Sequence, residues 1–220
     1  MSSNALERRI QWLLQKKFWD RIAEKYARQP VRVQNAYQIT LDRVATYLKP
    51  SDHVLEVGCG TGSTVLTLSG QVASILATDT STKMIEIARR KAVAAGTSNV
   101  TFRKMALDDA ATPGEGFAVV MGMNLLHLVE DLDGALASMG DSLRPGGLLI
   151  TKSVCMGNGA GIWSYVLPVM RFLGKAPFVR IMTMAELENA IVRAGFEIVE
   201  TGNYPERPPN RFVVAREVGV

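Results

Sequence analysis

In this chain of 220 residues, one stretch constrains the fold most: Val54-Leu55-Glu56-Val57-Gly58-Cys59-Gly60-Thr61-Gly62-Ser63. Val54, Leu55 and Val57 make a short apolar run of the kind expected from a parallel strand covered on both faces. Glycines at 58, 60 and 62 then remove every second Cβ, so the backbone can turn sharply and a ligand can press against main-chain N–H groups. Thr61 or Ser63 suits the cap of a following helix, whose partly positive N-terminus favours polar or anionic groups. The spacing is G-x-G-x-G, with the third glycine one residue earlier than in the G-x-G-x-x-G dinucleotide fingerprint. Glu56 adds an acceptor-only carboxylate at the mouth of the turn, which suits an ammonium better than a pyrophosphate.

Strands and helices alternate around this stretch. Pro30 and Pro50 bracket a helix over roughly Asn35 to Leu48, and a turn at residues 49–52 leads into the first strand. A helix follows the glycines from Thr64 to Leu68, then a strand from Ile75 to Asp79, then a helix from Ser81 to Ala95 stopped by Gly96. Val100 to Arg103 and Phe117 to Met121 read as strands three and four, Leu132 to Leu143 as a helix, and Leu148 to Lys152 as strand five. Alternation of this kind predicts an α/β fold: a doubly wound, mostly parallel sheet with helices on both faces. Ligands in such sheets sit beyond the carboxyl ends of the strands.

The glycine turn extended from Glu56 to Gly62 resembles the first motif, (D/E)-x-G-x-G-x-G, of the class I S-adenosylmethionine-dependent methyltransferases. Later segments resemble that family in the same order. Ile75 to Asp79 is a second strand ending in an acid, and Leu143-Arg144-Pro145-Gly146-Gly147 is similar to the family's proline-glycine turn before strand five. The resemblance spans about residues 35–216. It implies a seven-stranded Rossmann-like sheet, closed by Phe196 to Thr201 and Phe212 to Arg216 with the last strand antiparallel. It also implies S-adenosyl-L-methionine as cofactor and S-adenosyl-L-homocysteine as product.

The resemblance carries roles onto particular residues. Glu56 and the turn Gly58, Cys59, Gly60 and Gly62 would hold the methionine end of the cofactor, and Asp79, beside Thr80, would accept its ribose hydroxyls. Asp79 as a cap of the next helix is the structural alternative. Met84 would lie against the adenine or else in the core. The family's G-D-A-x-x-L pattern is altered in Met105-Ala106-Leu107-Asp108-Asp109, leaving Leu107 as the adenine wall and Asp108 as the acceptor. Asn124 would meet the cofactor's amino-acid end. His127, with an ordinary pKa near ~6.5, is a candidate base or a hydrogen-bonded support of its loop.

Charge is uneven along the chain. The total is +4, yet residues 1–32 hold a net +5 and the remainder −1, so the body offers no broad basic surface for nucleic acid. Ile10, Leu14, Phe18 and Ile22 recur at four-residue steps, and Trp12, Trp19 and Tyr26 at seven, which predicts an amphipathic helix with a cationic opposite side. Two readings stay open for residues 1–32: peripheral contact with an anionic membrane, or a helix packed over the cleft of its own domain. Residues 1–48 would then form a helical cap, in which Tyr26 either closes over the cofactor or sits in the core.

The segment 153–182 after strand five reads as a mobile lid. Residues 153–170 carry no charge, but Gly157, Gly159, Gly161 and Pro168 argue against a membrane span. Trp163, Tyr165, Met170 and Phe172 would make an apolar wall for a small apolar or amphiphilic acceptor, with Arg171, Lys175 and Arg180 meeting an anionic headgroup or water.

Length suits one domain over residues 1–220, acting as monomer or homodimer. Cysteines at 59 and 155 only, and no apolar h-region, predict no metal cluster, no disulfide framework and a cytoplasmic protein. The expected activity is methyl transfer to O, N, S or C of a small molecule, with a lipid or quinone acceptor as a variant. A nicotinamide-dependent oxidoreductase and a non-catalytic cofactor-binding protein are the readings from other classes.

Overall fold

In the computed structural model, residues 3–29, 33–106, 116–157, 161 and 163–218 are described, with the backbone alone for 3–14, 163–165 and 172. Seven strands form one sheet: β1 His53–Val57, β2 Ser74–Asp79, β3 Val100–Lys104, β4 Phe117–Met123, β5 Leu143–Val154, β6 Phe196–Asn203 and β7 Asn210–Glu217. Their order across the sheet is β3-β2-β1-β4-β5-β7-β6. Neighbouring pairs from β3 to β5 are parallel, and β7 runs antiparallel to both β5 and β6. The strand order reverses between β1 and β4, so the carboxyl ends of these two strands open the crevice where a ligand can enter.

The helices are α1 Ser3–Arg28, α2 Gln34–Ala45, α3 Ser63–Leu68, α4 Thr82–Ala94, α5 Leu132–Asp141, α6 Trp163–Phe172 and α7 Met184–Arg193. They cover both faces of the sheet. Val54, Ile75, Met121 and Ile150 point to one face and pack beneath Leu41 and Val44 of α2, Val65 and Leu68 of α3, and Ile85 and Ala88 of α4. Leu55, Val120, Leu149 and Val213 point to the other, against Leu136 and Met139 of α5 and Leu187 and Ile191 of α7. This alternation along each strand is what fixes the register, because a one-residue slip would turn Val54 and Leu55 to the wrong layers.

Strand five differs from the reading of its sequence. Phe117 pairs with Leu143 and Val119 with Leu148, so Arg144 to Gly147 bulge out of a strand that has already begun. The proline-glycine segment is therefore a bulge within β5, and α5 ends at Asp141 rather than Leu143. A bulge accommodates Pro145, whose nitrogen has no hydrogen to give to a ladder.

Gly62 precedes α3 with φ 76°, and a Cβ there would lie 2.8 Å from the Phe102 ring and 3.0 Å from Ala88. Both the dihedral and the space exclude a side chain. Gly62→Ala is expected to destabilise the fold by about 2–4 kcal/mol, lowering the thermal midpoint measured by circular dichroism.

Candidate active site

Each residue of the glycine turn has a defined task. Gly58 and Gly60 sit at φ 67° and 53°, in the left-handed region that favours glycine. The Cys59 amide donates to the Thr78 carbonyl at 2.9 Å, stitching the turn to β2. A Cβ on Gly58 would lie 2.7 Å from Leu125, whereas one on Gly60 would meet nothing within 4 Å, so the Gly60 backbone faces open space.

Asp79, the last residue of β2, ties this turn to the start of α4. Its Oδ2 accepts from the Gly60 amide at 2.9 Å and its Oδ1 from the Ser81 amide at 2.8 Å. An ionised carboxylate has about four acceptor positions, so each oxygen keeps capacity for a further donor. The helix cap itself is Ser81, whose hydroxyl accepts from the Met84 amide at 3.1 Å. Burial raises the Asp79 pKa, opposed by these amide bonds.

Glu56 lies two residues before the turn, 1% exposed, on the face of β1 that carries Val54. Its Oε2 has no hydrogen-bond partner. Burial first, and then the Asp79 charge, push its pKa up to about 8. A buried carboxyl oxygen left without a donor beside a second carboxylate favours a cationic neighbour.

A cavity of about 320 Å³ opens above these groups. Gly58, Gly60, Asp79 and Thr80 line one part, and Met84, Met105 and Ala106 continue it along the β2 and β3 side. Met123, Asn124, Leu125, Leu128 and Val129 line the β4 side, where Glu130, Asp131, Gly134 and Ala135 carry the wall to the start of α5. Asn124 adopts φ 55°, with its amide donating to the Lys152 carbonyl at 2.7 Å.

Helix α1 covers the opening with Gln15, Trp19 and Tyr26. It is fastened on both sides. Gln15 Nε2 donates to the Leu128 carbonyl at 2.7 Å, while Asp20 Oδ1 accepts from Ser81 Oγ at 2.6 Å and from the Lys83 amide at 3.1 Å. Ala23 packs with Met84 and Ile87, and Arg90 pairs with Glu24 at 2.8 Å. Trp19 meets Tyr26 edge-on at 6.2 Å. Tyr26 is 48% exposed at the rim, and its phenol pKa is raised by burial and then by the Asp79 charge. In the described part of α1, Trp19, Ala23 and Ala27 pack toward α4, while Phe18 and Ile22 are half-buried.

Of the residues expected from sequence, Gly58, Gly60, Asp79, Thr80, Met84, Asn124 and Tyr26 line the cavity. Glu56, Cys59 and Gly62 support it from behind. Leu107 and Asp108 lie outside the described residues, and Met105 and Ala106 form the wall beside them.

His127 is not brought to the cavity. It is buried, its Nδ1 accepts from the Val154 amide at 3.4 Å, and its carbonyl accepts from the Arg180 amide at 2.7 Å. Burial drives its pKa down to about 4, so it stays neutral and braces the loop rather than serving as a base near neutral pH.

Of the expected lid wall, Met170 alone has a described side chain. Met170 is half-buried, and its carbonyl accepts from the Lys175 and Ala176 amides. It does not line the cavity, and the side chains of Trp163, Tyr165 and Phe172 lie outside the described residues. Arg171 pairs with Glu130, and Arg180 donates to the Glu130 carbonyl, so these cations hold residues 171–180 against the loop after β4.

Sequence reasoning passed over Trp19, Glu130 and Asp131 as lining residues. The aromatic spacing of α1 singled out Trp19 without placing it, and Asp131 carried a helix-start signal as the cap of α5, accepting from the Gly134 amide at 2.9 Å.

Comparison with known proteins agrees with this geometry. Residues 54–147 match the family described as "Methyltransferase domain". The ubiquinone biosynthesis O-methyltransferase of Mesorhizobium japonicum is 30% identical over 175 residues, covering 76% of this chain and 69% of that protein. The ubiquinone biosynthesis O-methyltransferase of Sinorhizobium medicae is 27% identical over 206 residues, covering 91% and 77%. Among solved structures, magnesium protoporphyrin IX methyltransferase from Synechocystis PCC 6803, with bound S-adenosylhomocysteine, superposes with TM-score 0.71 at 20% identity, covering 96% of this chain and 99% of that one. The chain belongs to the class I S-adenosylmethionine-dependent methyltransferases. Among the described residues no helix is long and apolar enough to cross a membrane.

Proposed function

We propose that this methyltransferase places the methyl group on a hydroxyl oxygen of a small aromatic molecule of the quinol-precursor kind. The observation that carries the reading is the division of the cavity. One end gathers the glycine turn and Asp79, with Glu56 buried just behind, and the β4 side presents the apolar Met123, Leu125, Leu128 and Val129 beside the polar Asn124, Glu130 and Asp131. A polar, partly cationic cofactor suits the first end, and a flat apolar acceptor suits the second. The names of the O-methyltransferase relatives point to the same acceptor class.

The residues present fit the cofactor. Gly60 offers backbone against open space, Glu56 has an orphaned Oε2 for an ammonium, and Asp79 retains acceptor positions for ribose hydroxyls. Met84, Met105 and Ala106 supply an apolar slot for the adenine. When bound, the cofactor supplies an electrophilic methyl group on a sulfonium. The protein's own contribution is alignment and exclusion of water: α1, tied at Gln15 and Asp20, shuts the opening over the reacting atoms.

The test is a mass-spectrometric assay with S-adenosylmethionine and matched phenol, catechol, thiol and amine acceptors. Methyl ether formation from a catechol or phenol at a rate at least about tenfold above the other acceptors is expected, since misplacing the reacting atoms by about 1 Å can cost about a hundredfold in rate. Turnover confined to the thiol or amine would displace the oxygen acceptor.

A further inference from the structure

Among the described residues, Lys152 is the one lysine or arginine that is buried, at 5% exposure. Its side chain leaves β5 on the α2 face, with Met123 as its register partner on β4 and Phe212 on β7. Nζ donates to Thr40 Oγ1 at 2.8 Å. The Thr40 hydroxyl is already committed as a donor to the Ala36 carbonyl at 2.7 Å, so it can only accept from the lysine. Among the described residues no carboxylate lies within 4.0 Å of Nζ, and the other hydrogens of the ammonium have no partner.

Packing does not account for such a group. A buried ammonium with one hydroxyl partner is costly, and an apolar chain of equal length would fill the same space without that cost. Its position suggests another use. Met123 lines the cavity at the acceptor end, and Asn124, also in the wall, donates its amide to the Lys152 carbonyl at 2.7 Å. Lys152 thus stands directly behind the acceptor wall. Burial pulls its pKa down to about 8, which gives it a neutral fraction near physiological pH. Titratable groups on this face include Tyr37 of α2, Glu56 of β1, Cys59 of the glycine turn and Tyr204, whose ring is 5.9 Å from that of Phe212. Arg43 and Tyr47, also on the α2 side, are engaged by Glu200.

Building on the oxygen-acceptor reading above, we propose that Lys152 receives the acceptor's hydroxyl and takes its proton. The O–H bond breaks with its electron pair left on oxygen, and an N–H bond forms at Nζ. The products are a phenolate and an ammonium that hold one another. The hydroxyl would reach Nζ past Met123, the wall residue paired with Lys152. No metal ion or second base is needed for this step.

The test uses 4-nitrocatechol, whose phenolate absorbs at longer wavelength than its phenol, with the full-length protein. Bound to the wild type, the probe should ionise about one pH unit below the free probe, because an adjacent cation favours the charged form. Lys152→Met should abolish that shift and bind the probe about tenfold more weakly, a difference of one decade in affinity. Calorimetric binding of S-adenosylmethionine should be the same in both proteins. Should Lys152→Met fail to fold, Thr40→Val replaces it. This variant removes the hydroxyl that favours the ammonium and should move the bound probe's ionisation midpoint upward.

An unshifted probe on the wild type, or the same shift in both the wild type and the variant, overturns the assignment of Lys152 while leaving the methyltransferase reading standing if the cofactor still binds. Loss of cofactor binding by the folded wild type overturns that reading first, independently of the probe.

Discussion

Asp79→Ala should weaken binding of S-adenosylmethionine by at least about a hundredfold in a calorimetric titration, each charge-assisted hydrogen bond lost being worth roughly 1.5–3 kcal/mol. Two effects combine. The substitution removes the acceptor for the ribose, and it releases the Gly60 and Ser81 amides, which the carboxylate now holds at 2.9 and 2.8 Å. The Gly60 amide belongs to the turn that must lie against the cofactor, so its release costs affinity at a second place. Asp79→Asn separates the two contributions. It preserves shape and one carbonyl oxygen, but its NH2 group faces one of the two amides, so an intermediate loss is expected.

Stability should respond less than affinity. Burial raises the Asp79 pKa, so the free protein holds this carboxylate at a cost, and removing it relieves part of that cost. A variant that melts near the wild-type temperature and no longer binds the cofactor is the signature of a ligand-holding residue. A large fall in melting temperature with affinity retained would instead make Asp79 a structural cross-link.

The fold was legible because its strands are short apolar runs separated by turn signals, and the glycine turn has few structural uses other than the one found. Val54, Leu55 and Val57 announced β1, and the G-x-G-x-G spacing announced a ligand-facing backbone. Asp79 was legible for the same reason, as a polar residue at the carboxyl end of a strand. His127 misled because a histidine's availability depends on burial, which a sequence does not display. Its neighbours Leu126 and Val129 gave no warning that the ring would turn inward toward Val154. Lys152 escaped for the opposite reason. In Leu149-Ile150-Thr151-Lys152-Ser153 it reads as the polar end of a strand, and only the position of α2 turns it into a buried cation. The proline-glycine bulge of β5 was hidden because Pro145 normally ends a strand, and pairing on both flanks overrides that preference here.

Glu56→Gln should weaken cofactor binding about a hundredfold at pH 8 and, at the same pH, raise the melting temperature of the free protein. The two signs follow from one fact. In the free protein the Glu56 pKa stands at about 8, above the ordinary 4.5. A raised carboxyl pKa means that its stabilising effect is full below the unfolded value and is lost as pH rises toward the folded value. The free wild-type protein should therefore lose stability progressively from about pH 4.5 to about pH 8 at this residue, by up to about 5 kcal/mol given 1.36 kcal/mol per unit. Glutamine keeps the shape, carries no ionising proton, and should flatten that slope.

Cofactor binding should reverse the effect in the wild type. An ammonium beside Oε2 favours the carboxylate, so binding should release a proton across that pH window and tighten as pH rises. Calorimetry in buffers of different ionisation enthalpy reads the released proton directly. The wild type should release close to one proton at pH 6–7, and Glu56→Gln about one fewer. Equal proton release in both proteins would place the ammonium away from Glu56 and leave the orphaned Oε2 without a ligand. Equal release would also detach the pH dependence of binding from this carboxylate and shift attention to Asp79, the other acid whose pKa burial raises at this site.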